Sequence, residues 1–254
     1  MSGPASDQTS ATEHRFYGDF APWWPLISPP EEYAEEASFA ATLLAAGGAT
    51  STVLELGSGG GHLASHLADR FELTLVDLSE PMLTVSRALN PRATHHQGDM
   101  RTVRLDQQFD AVFIHDAIDY MTTEDDLRLA IETAYAHCRP GGIAVLVPDD
   151  VTESFVERTI YGGSDALDGR AARYLEWSWD PDPHDSWTIT IYTFVLREAN
   201  GAVETSHETH RFGLFSRDVW LALLSETGFS ASAHAELPTG EDHPRTWFVG
   251  RRDR

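Results

Sequence analysis

Apolar and polar positions follow two rhythms along this chain. From Thr52 to Val147, short apolar runs are separated by stretches in which apolar residues return every third or fourth position. These are the signatures of buried strands and amphipathic helices. The pattern predicts strands over residues 52–56, 72–76, 93–97, 109–114 and 143–147. Helices are predicted over residues 31–46, 61–70 and from a cap at Ser79 with Pro81 in its first turn. A longer helix, capped by Thr122 or Thr123, reaches Cys138 and ends at Pro140-Gly141-Gly142. Between residues 149 and 215 the rhythm changes to period two, over residues 177–179, 187–196 and 203–212, with Asn200-Gly201 as the hairpin turn between the last two. Ser216 then caps a helix to Glu226, stopped by Gly228, and strands follow near residues 230–236 and 246–249.

Strand and helix in alternation imply parallel strands joined by right-handed crossovers. Runs such as Ala144-Val145-Leu146-Val147 suit strands covered on both faces. The expected fold is therefore α/β: a doubly wound, mostly parallel seven-stranded sheet, Rossmann-like, with an antiparallel β insert after strand five and an N-terminal helical lid. The expected divisions are a disordered tail (1–12), lid helices (13–48), a nucleotide-binding core (49–150), a substrate-capping insert (151–215) and the end of the core sheet (216–254).

Composition narrows the function. All 18 basic residues other than histidine are arginine, against 40 Asp and Glu, for a net charge of −22. Such a surface repels phosphate backbones and anionic lipid, which excludes nucleic acid as an expected partner and favours neutral or cationic small molecules. No apolar run is long enough to span a bilayer, and the start lacks the basic and apolar regions of a signal peptide. With a single cysteine, Cys138, read as a core residue, the expected compartment is the cytoplasm and the expected state a monomer or homodimer.

The most specific segment is Val53-Leu54-Glu55-Leu56-Gly57-Ser58-Gly59-Gly60-Gly61-His62. Glycines after a buried strand let backbone N–H groups approach a ligand closely. Asp77 ends the next strand, 77 − 57 = 20 residues on, where a carboxylate can accept from ribose hydroxyls. A dinucleotide fingerprint would need Gly or Ala three places after Gly59, and His62 stands there.

This stretch resembles motif I of the class I S-adenosylmethionine (SAM)-dependent methyltransferases, a likeness that runs from about residue 52 to 147. The resemblance implies SAM as cofactor, with Gly57 and Gly59 facing its methionine and ribose part and Asp77 its ribose diol. It implies that Asp99 meets the adenine amine, that Met100 packs on the ring and that His115 touches the methionine part. Glu55, Leu78 and Met82 join this cofactor set, as do Trp24 and Tyr33 from the lid. A weaker likeness, in residues 97–101 and 208–215, is to the N,N-dimethyltransferases of nucleotide-linked amino sugars in antibiotic pathways. Residues 115–120 depart from that group.

Methyl transfer from SAM needs an acceptor aligned with the methyl–sulfur bond and water excluded. The candidate bases are His115 and Asp116, just beyond strand four; the alternatives are that His115 only orients SAM and that Asp119 only caps a helix. The candidate acceptor contacts are Trp23, Tyr120, His207 and His210, with lid packing the alternative for the tryptophan. His207-Glu208-Thr209-His210 lacks the spacing of the zinc pair HExxH, and on a strand its histidines face opposite ways, so no metal is expected there. Loop carboxylates Asp116, Asp149 and Asp150 read as solvated rather than as a magnesium site. The competing functions are a nicotinamide-dependent oxidoreductase and a non-catalytic SAM-binding protein.

Overall fold

The computed structural model describes residues 14–237, 239 and 244–254; the expected tail over residues 1–12 lies outside them. The chain enters through a 3-10 turn (Ala21–Trp23), helix α1 (Trp24–Ile27), a second 3-10 turn (Pro30–Tyr33) and α2 (Ala34–Ala45). The helix expected from residue 31 thus starts three residues later, its first turn tightened behind Pro30. Next come β1 (Thr52–Leu56), α3 (His62–Leu67), β2 (Glu72–Asp77), α4 (Glu80–Leu89), β3 (Thr94–Gln97), β4 (Phe109–His115), α5 (Glu124–His137) and β5 (Cys138–Val147). The insert follows as β6 (Arg158–Gly162), β7 (Ala171–Trp179), β8 (Trp187–Arg197) and β9 (Val203–Gly213), before α6 (Arg217–Thr227), β10 (Phe229–Glu236) and β11 (Arg245–Arg252).

The main sheet has the order β10-β11-β5-β4-β1-β2-β3, with β1 to β5 parallel and β11 antiparallel to both of its neighbours. Alternate residues of each central strand serve opposite cores. Leu54, Leu56, Val112, Ile114, Ala144 and Leu146 pack toward α5 and α6. Val53, Ala111, Phe113, Val145 and Val147 pack toward α2 and α3. Each such side chain contributes about 1.5–3 kcal/mol on burial, which is why the strands read as unbroken apolar runs. The helix starts behave as their sequences predict. Ser79, Thr123 and Ser216 each accept a backbone N–H three residues on, and Gly228 closes α6 at φ +111°. No helix among the described residues is long and apolar enough to cross a membrane.

Two boundaries differ from expectation. Pro140-Gly141-Gly142 does not end α5; the helix stops at His137 and β5 already begins at Cys138, with a register shift opposite Phe109. The strand claims this turn because Arg139 pairs with Asp110 and Gly142 lies so close to the Asp110 carbonyl that a Cβ would sit 2.8 Å from it. The insert also holds one more strand than expected, β6, pairing antiparallel with β7. The lid segment, through Phe16, Phe20, Leu26 and Ile27, packs on Ala172, Phe194 and Leu196 of the insert. Lid and insert thereby roof the carboxyl ends of β1, β2 and β4.

Candidate active site

Beyond Leu56 the backbone turns through three left-handed glycines: Gly57 at φ +76°, Gly59 at +53° and Gly61 at +71°. The amides of Gly57 and Ser58 both donate to the Val76 carbonyl, at 2.7 and 3.0 Å, which ties the turn to β2. Asp77 completes the tie. One carboxylate oxygen accepts from Gly59 N–H (2.7 Å) and the other from Ser79 N–H (2.8 Å). Burial pushes its pKa up while these amides pull it down. A Cβ on Gly57 would meet the Ala117 methyl group and lie 2.8 Å from Met100 Cε. The bare backbone there keeps a floor open between β1 and the loop after β4.

That floor belongs to a cavity of about 360 Å³, within the range of small-molecule sites. One end is walled by the glycine turn, Leu78, Met82 and the Gly98-Asp99-Met100 stretch, the other by Tyr120 and by Tyr174, Glu176, Tyr192 and Phe212 of the insert. Phe16, Tyr17, Trp24 and Tyr33 close it from the lid. Glu55 lies in its wall, 3% exposed, with one carboxylate oxygen that no protein group satisfies. A buried carboxyl with one unpartnered oxygen beside an uncrowded glycine turn suits a ligand carrying positive charge, which would favour its ionised form.

A charged junction closes the cavity near β4. His115 Nε2 lies 2.9 Å from Glu36 of α2 and 3.2 Å from Asp116. Arg245 of β11 pairs with Glu36 and Asp116, and at 3.1 Å with Asp149. Burial alone would raise Glu36, but His115 and Arg245 outweigh it and hold the carboxyl at about 2. Burial likewise opposes charge on His115, yet the Asp116 and Glu36 carboxylates raise its pKa. Asp116 sits at φ +44°, a strained position for a residue with a side chain.

Residues 53–142 match a family model described as a methyltransferase domain. A dTDP-3-amino-3,4,6-trideoxy-alpha-D-glucopyranose N,N-dimethyltransferase of Streptomyces venezuelae is 35% identical over 223 residues, 87% of this chain and 91% of that protein. The chain belongs to the SAM-dependent methyltransferases. Its structure resembles that of Streptomyces venezuelae DesVI, with a TM-score of 0.77 at 28% identity, covering 87% of this chain and 92% of that one. It also resembles SAM-bound CalS10, an amino pentose methyltransferase from Micromonospora echinaspora, with a TM-score of 0.71 at 25% identity, covering 87% and 91%. The enzyme uses SAM and acts on a small molecule, and the family assignment displaces the oxidoreductase alternative.

In this methyltransferase, Trp24, Tyr33, Glu55, Gly57, Gly59, Asp77, Leu78, Met82, Asp99, Met100, His115, Asp116 and Tyr120 all line the one cavity. Three expected acceptor contacts do not. Trp23 is buried in the lid–insert core with the Arg170 guanidinium 5.2 Å over its ring, because apolar packing there outweighs exposure to a ligand. His207 is exposed, on the outward face that strand alternation dictates. His210 is fully buried behind the wall, its Nδ1 2.7 Å from the Tyr120 hydroxyl, which also lies 2.7 Å from that of Tyr17. Asp99 reaches the cavity, but both its oxygens are engaged by Arg101, whose guanidinium also reaches Asp126 at 2.9 Å. Asp119 is no simple helix cap; it is buried and accepts from the Asp149 N–H at 2.8 Å.

Sequence reasoning missed Glu36, Arg245 and Glu176. The first two lie more than 200 positions apart in the chain, and no local pattern links them. Glu176 alternates with Tyr174 on β7 and could have been found from that period, since both side chains line the cavity. Burial pushes Glu176 up to about 7, with Asp149 adding to it.

Glu55 carries a prediction about stability. Burial holds its carboxyl at about 8 against an ordinary 4.5. The folded state therefore binds this proton more tightly than the unfolded chain, and ligand-free stability falls as pH rises from about 4.5 to about 8. Glu55→Gln removes that penalty. Thermal scans should show a melting temperature roughly 10 °C higher at pH 8, on the scale of ~4 kcal/mol at about 2–4 °C per kcal/mol, and little change at pH 4. An equal shift at both pH values would contradict a buried, proton-hungry carboxyl.

Proposed function

We propose that this methyltransferase transfers the SAM methyl group to the amine nitrogen of a small molecule, an amino sugar as in the relatives' names, whatever group that sugar is linked to. The supporting observation is that a polar, glycine-floored end and an aromatic, carboxylate-bearing end share one roofed cavity. Gly57, Gly59 and Asp77 hold the ribose and methionine part of SAM, with Glu55 toward its positive charge. Leu78, Met82 and Met100 flank the adenine, and Asp99, fixed by Arg101, presents its edge to the ring. Trp24 and Tyr33 cover the ligand from the lid.

SAM supplies an activated methyl group when bound. The chain's own residues orient the acceptor and exclude water, worth roughly 7–11 kcal/mol of barrier when reactants are well aligned. Tyr120, Tyr174, Tyr192 and Phe212 provide the flat walls. His115 acts as a positioning residue rather than a base, because its Nε2 is committed to Glu36 and the neighbouring carboxylates favour its protonated form. Asp116, drawn onto Arg245, has the same character. The proton shed by the amine leaves through Tyr17, Tyr120 and His210, which form a continuous hydrogen-bonded chain. The acceptor is neutral or cationic, the working unit a monomer or homodimer, and the compartment the cytoplasm.

Calorimetry with S-adenosylhomocysteine tests the cofactor half. Asp77→Ala should weaken binding by about 1.5–3 kcal/mol, roughly 10- to 150-fold. Mass spectrometry of an amino-sugar acceptor incubated with SAM should show gains of one and two methyl groups on nitrogen. Wild-type affinity in Asp77→Ala would remove the ribose assignment, and methyl appearing only on oxygen would remove the amine.

A further inference from the structure

The acceptor end of the cavity is charged in a way that discriminates among amines. Asp116, Asp149 and Glu176 line it. Asp119 and Asp150 stand directly behind, in a small side chamber shared with Asp149 and Glu176. Two guanidiniums are near, and both are committed. Arg158 reaches Asp150 at 2.7 Å, and Arg245 is shared among Glu36, Asp116 and Asp149. Arg101, in the cavity wall, spans Asp99 and Asp126. A diphosphate entering here would meet carboxylates first and find each nearby guanidinium already neutralised. An ammonium would meet Asp149 and Glu176 in a cavity also lined by Tyr174 and Tyr192, a setting that favours cations by charge.

We infer that the acceptor is a cationic amine that carries no phosphate, its ammonium held between Asp149 and Glu176. This rests on the methyltransferase reading of the cavity, and it separates this enzyme from the dTDP-linked amino sugars named for its relatives. A bound cation would offset the repulsion among these carboxyls. Burial raises Asp149, Asp150, Asp119 and Glu176, and their mutual repulsion adds to it. Around Glu176 the groups that matter are Asp149 at the end of β5, Arg158 on β6, Tyr174 and Ser178 on β7 and Tyr192 on β8. Because Glu176 sits near 7, an amine that stays protonated binds more tightly as pH rises from 5 to 7.

The test uses one sugar with and without a diphosphate. Full-length protein saturated with S-adenosylhomocysteine is titrated with glucosamine or UDP-glucosamine by ligand-detected NMR at pH 7.5. Glucosamine should bind at least tenfold more tightly than UDP-glucosamine, and its affinity should rise at least threefold between pH 5 and 7, where its ammonium stays protonated while Glu176 ionises. Glu176→Gln and Asp149→Asn should each cost glucosamine about tenfold while S-adenosylhomocysteine affinity stays within twofold, which also reports that the variants fold. UDP-glucosamine binding as tightly as glucosamine, unchanged amine binding in both variants, or no binding of either sugar overturns the proposal. Failure to bind S-adenosylhomocysteine would instead count against the cofactor assignment itself.

Discussion

Replacing Arg245 with Met should cost about 3–5 kcal/mol of folding stability, one of the two largest single-residue effects expected here. Arg245 brings one guanidinium to Glu36 on α2, Asp116 after β4 and Asp149 after β5, and its Nε donates to the Pro148 carbonyl at 3.0 Å. Without it the buried end of Glu36 and the more exposed Asp116 and Asp149 repel one another, with His115 opposing the first two and Arg158 the third. The pH dependence has a definite sign. Glu36 is depressed to about 2, so its contribution is present above its ordinary 4.5 and is lost as pH falls toward 2. The variant should lose less on acidification than the wild type, because part of that contribution is already gone. Denaturant unfolding at pH 7 and pH 3 measures both. Adding Glu36→Gln to Arg245→Met should restore part of the loss at pH 7, since the two sites share a contact. A single variant within about 1 kcal/mol of wild type would show that the junction does not hold lid to core.

Gly57→Val should abolish useful SAM binding, by roughly 100-fold or more, the scale of ~3 kcal/mol. Two effects add. At φ +76° a β-branched residue is strained by about 1–3 kcal/mol. Its Cβ would also press on the Ala117 methyl and Met100 Cε, narrowing the floor that the ligand needs. Gly59, at φ +53° but with Met82 Cε 3.5 Å from its Cβ position, has more room, so Gly59→Ala should be the milder lesion. Calorimetry with S-adenosylhomocysteine, alongside a melting curve to confirm folding, decides this. Affinity within threefold of wild type in a folded Gly57→Val protein would mean that the ligand does not lie on this floor.

Much of the fold was legible because its causes are local. Val53, Leu54 and Leu56 are apolar in an unbroken run because both faces of β1 are covered, and the glycine turn follows because only glycine takes three left-handed steps cheaply. Ser79, Thr123 and Ser216 announce helix starts by chemistry that acts over three residues. The errors fell where distant contacts decide. Trp23 and Trp24 are neighbours of the same type, yet one is core and the other cavity wall. His210 reads as a pocket histidine on period two, but Tyr120 stands between it and the cavity.

The sequence by itself therefore determined the doubly wound sheet, the antiparallel insert and the glycine-floored end of the cavity, because burial periodicity, caps and left-handed turns are written within a few residues of where they act. Only the tertiary structure decided the charged junction and the aromatic, carboxylate-bearing end of the cavity. Glu36, His115, Asp149, Glu176 and Arg245 come from five different elements or their ends. Their mutual Coulomb energies and shared burial exist only once the lid, core and insert have closed on one another.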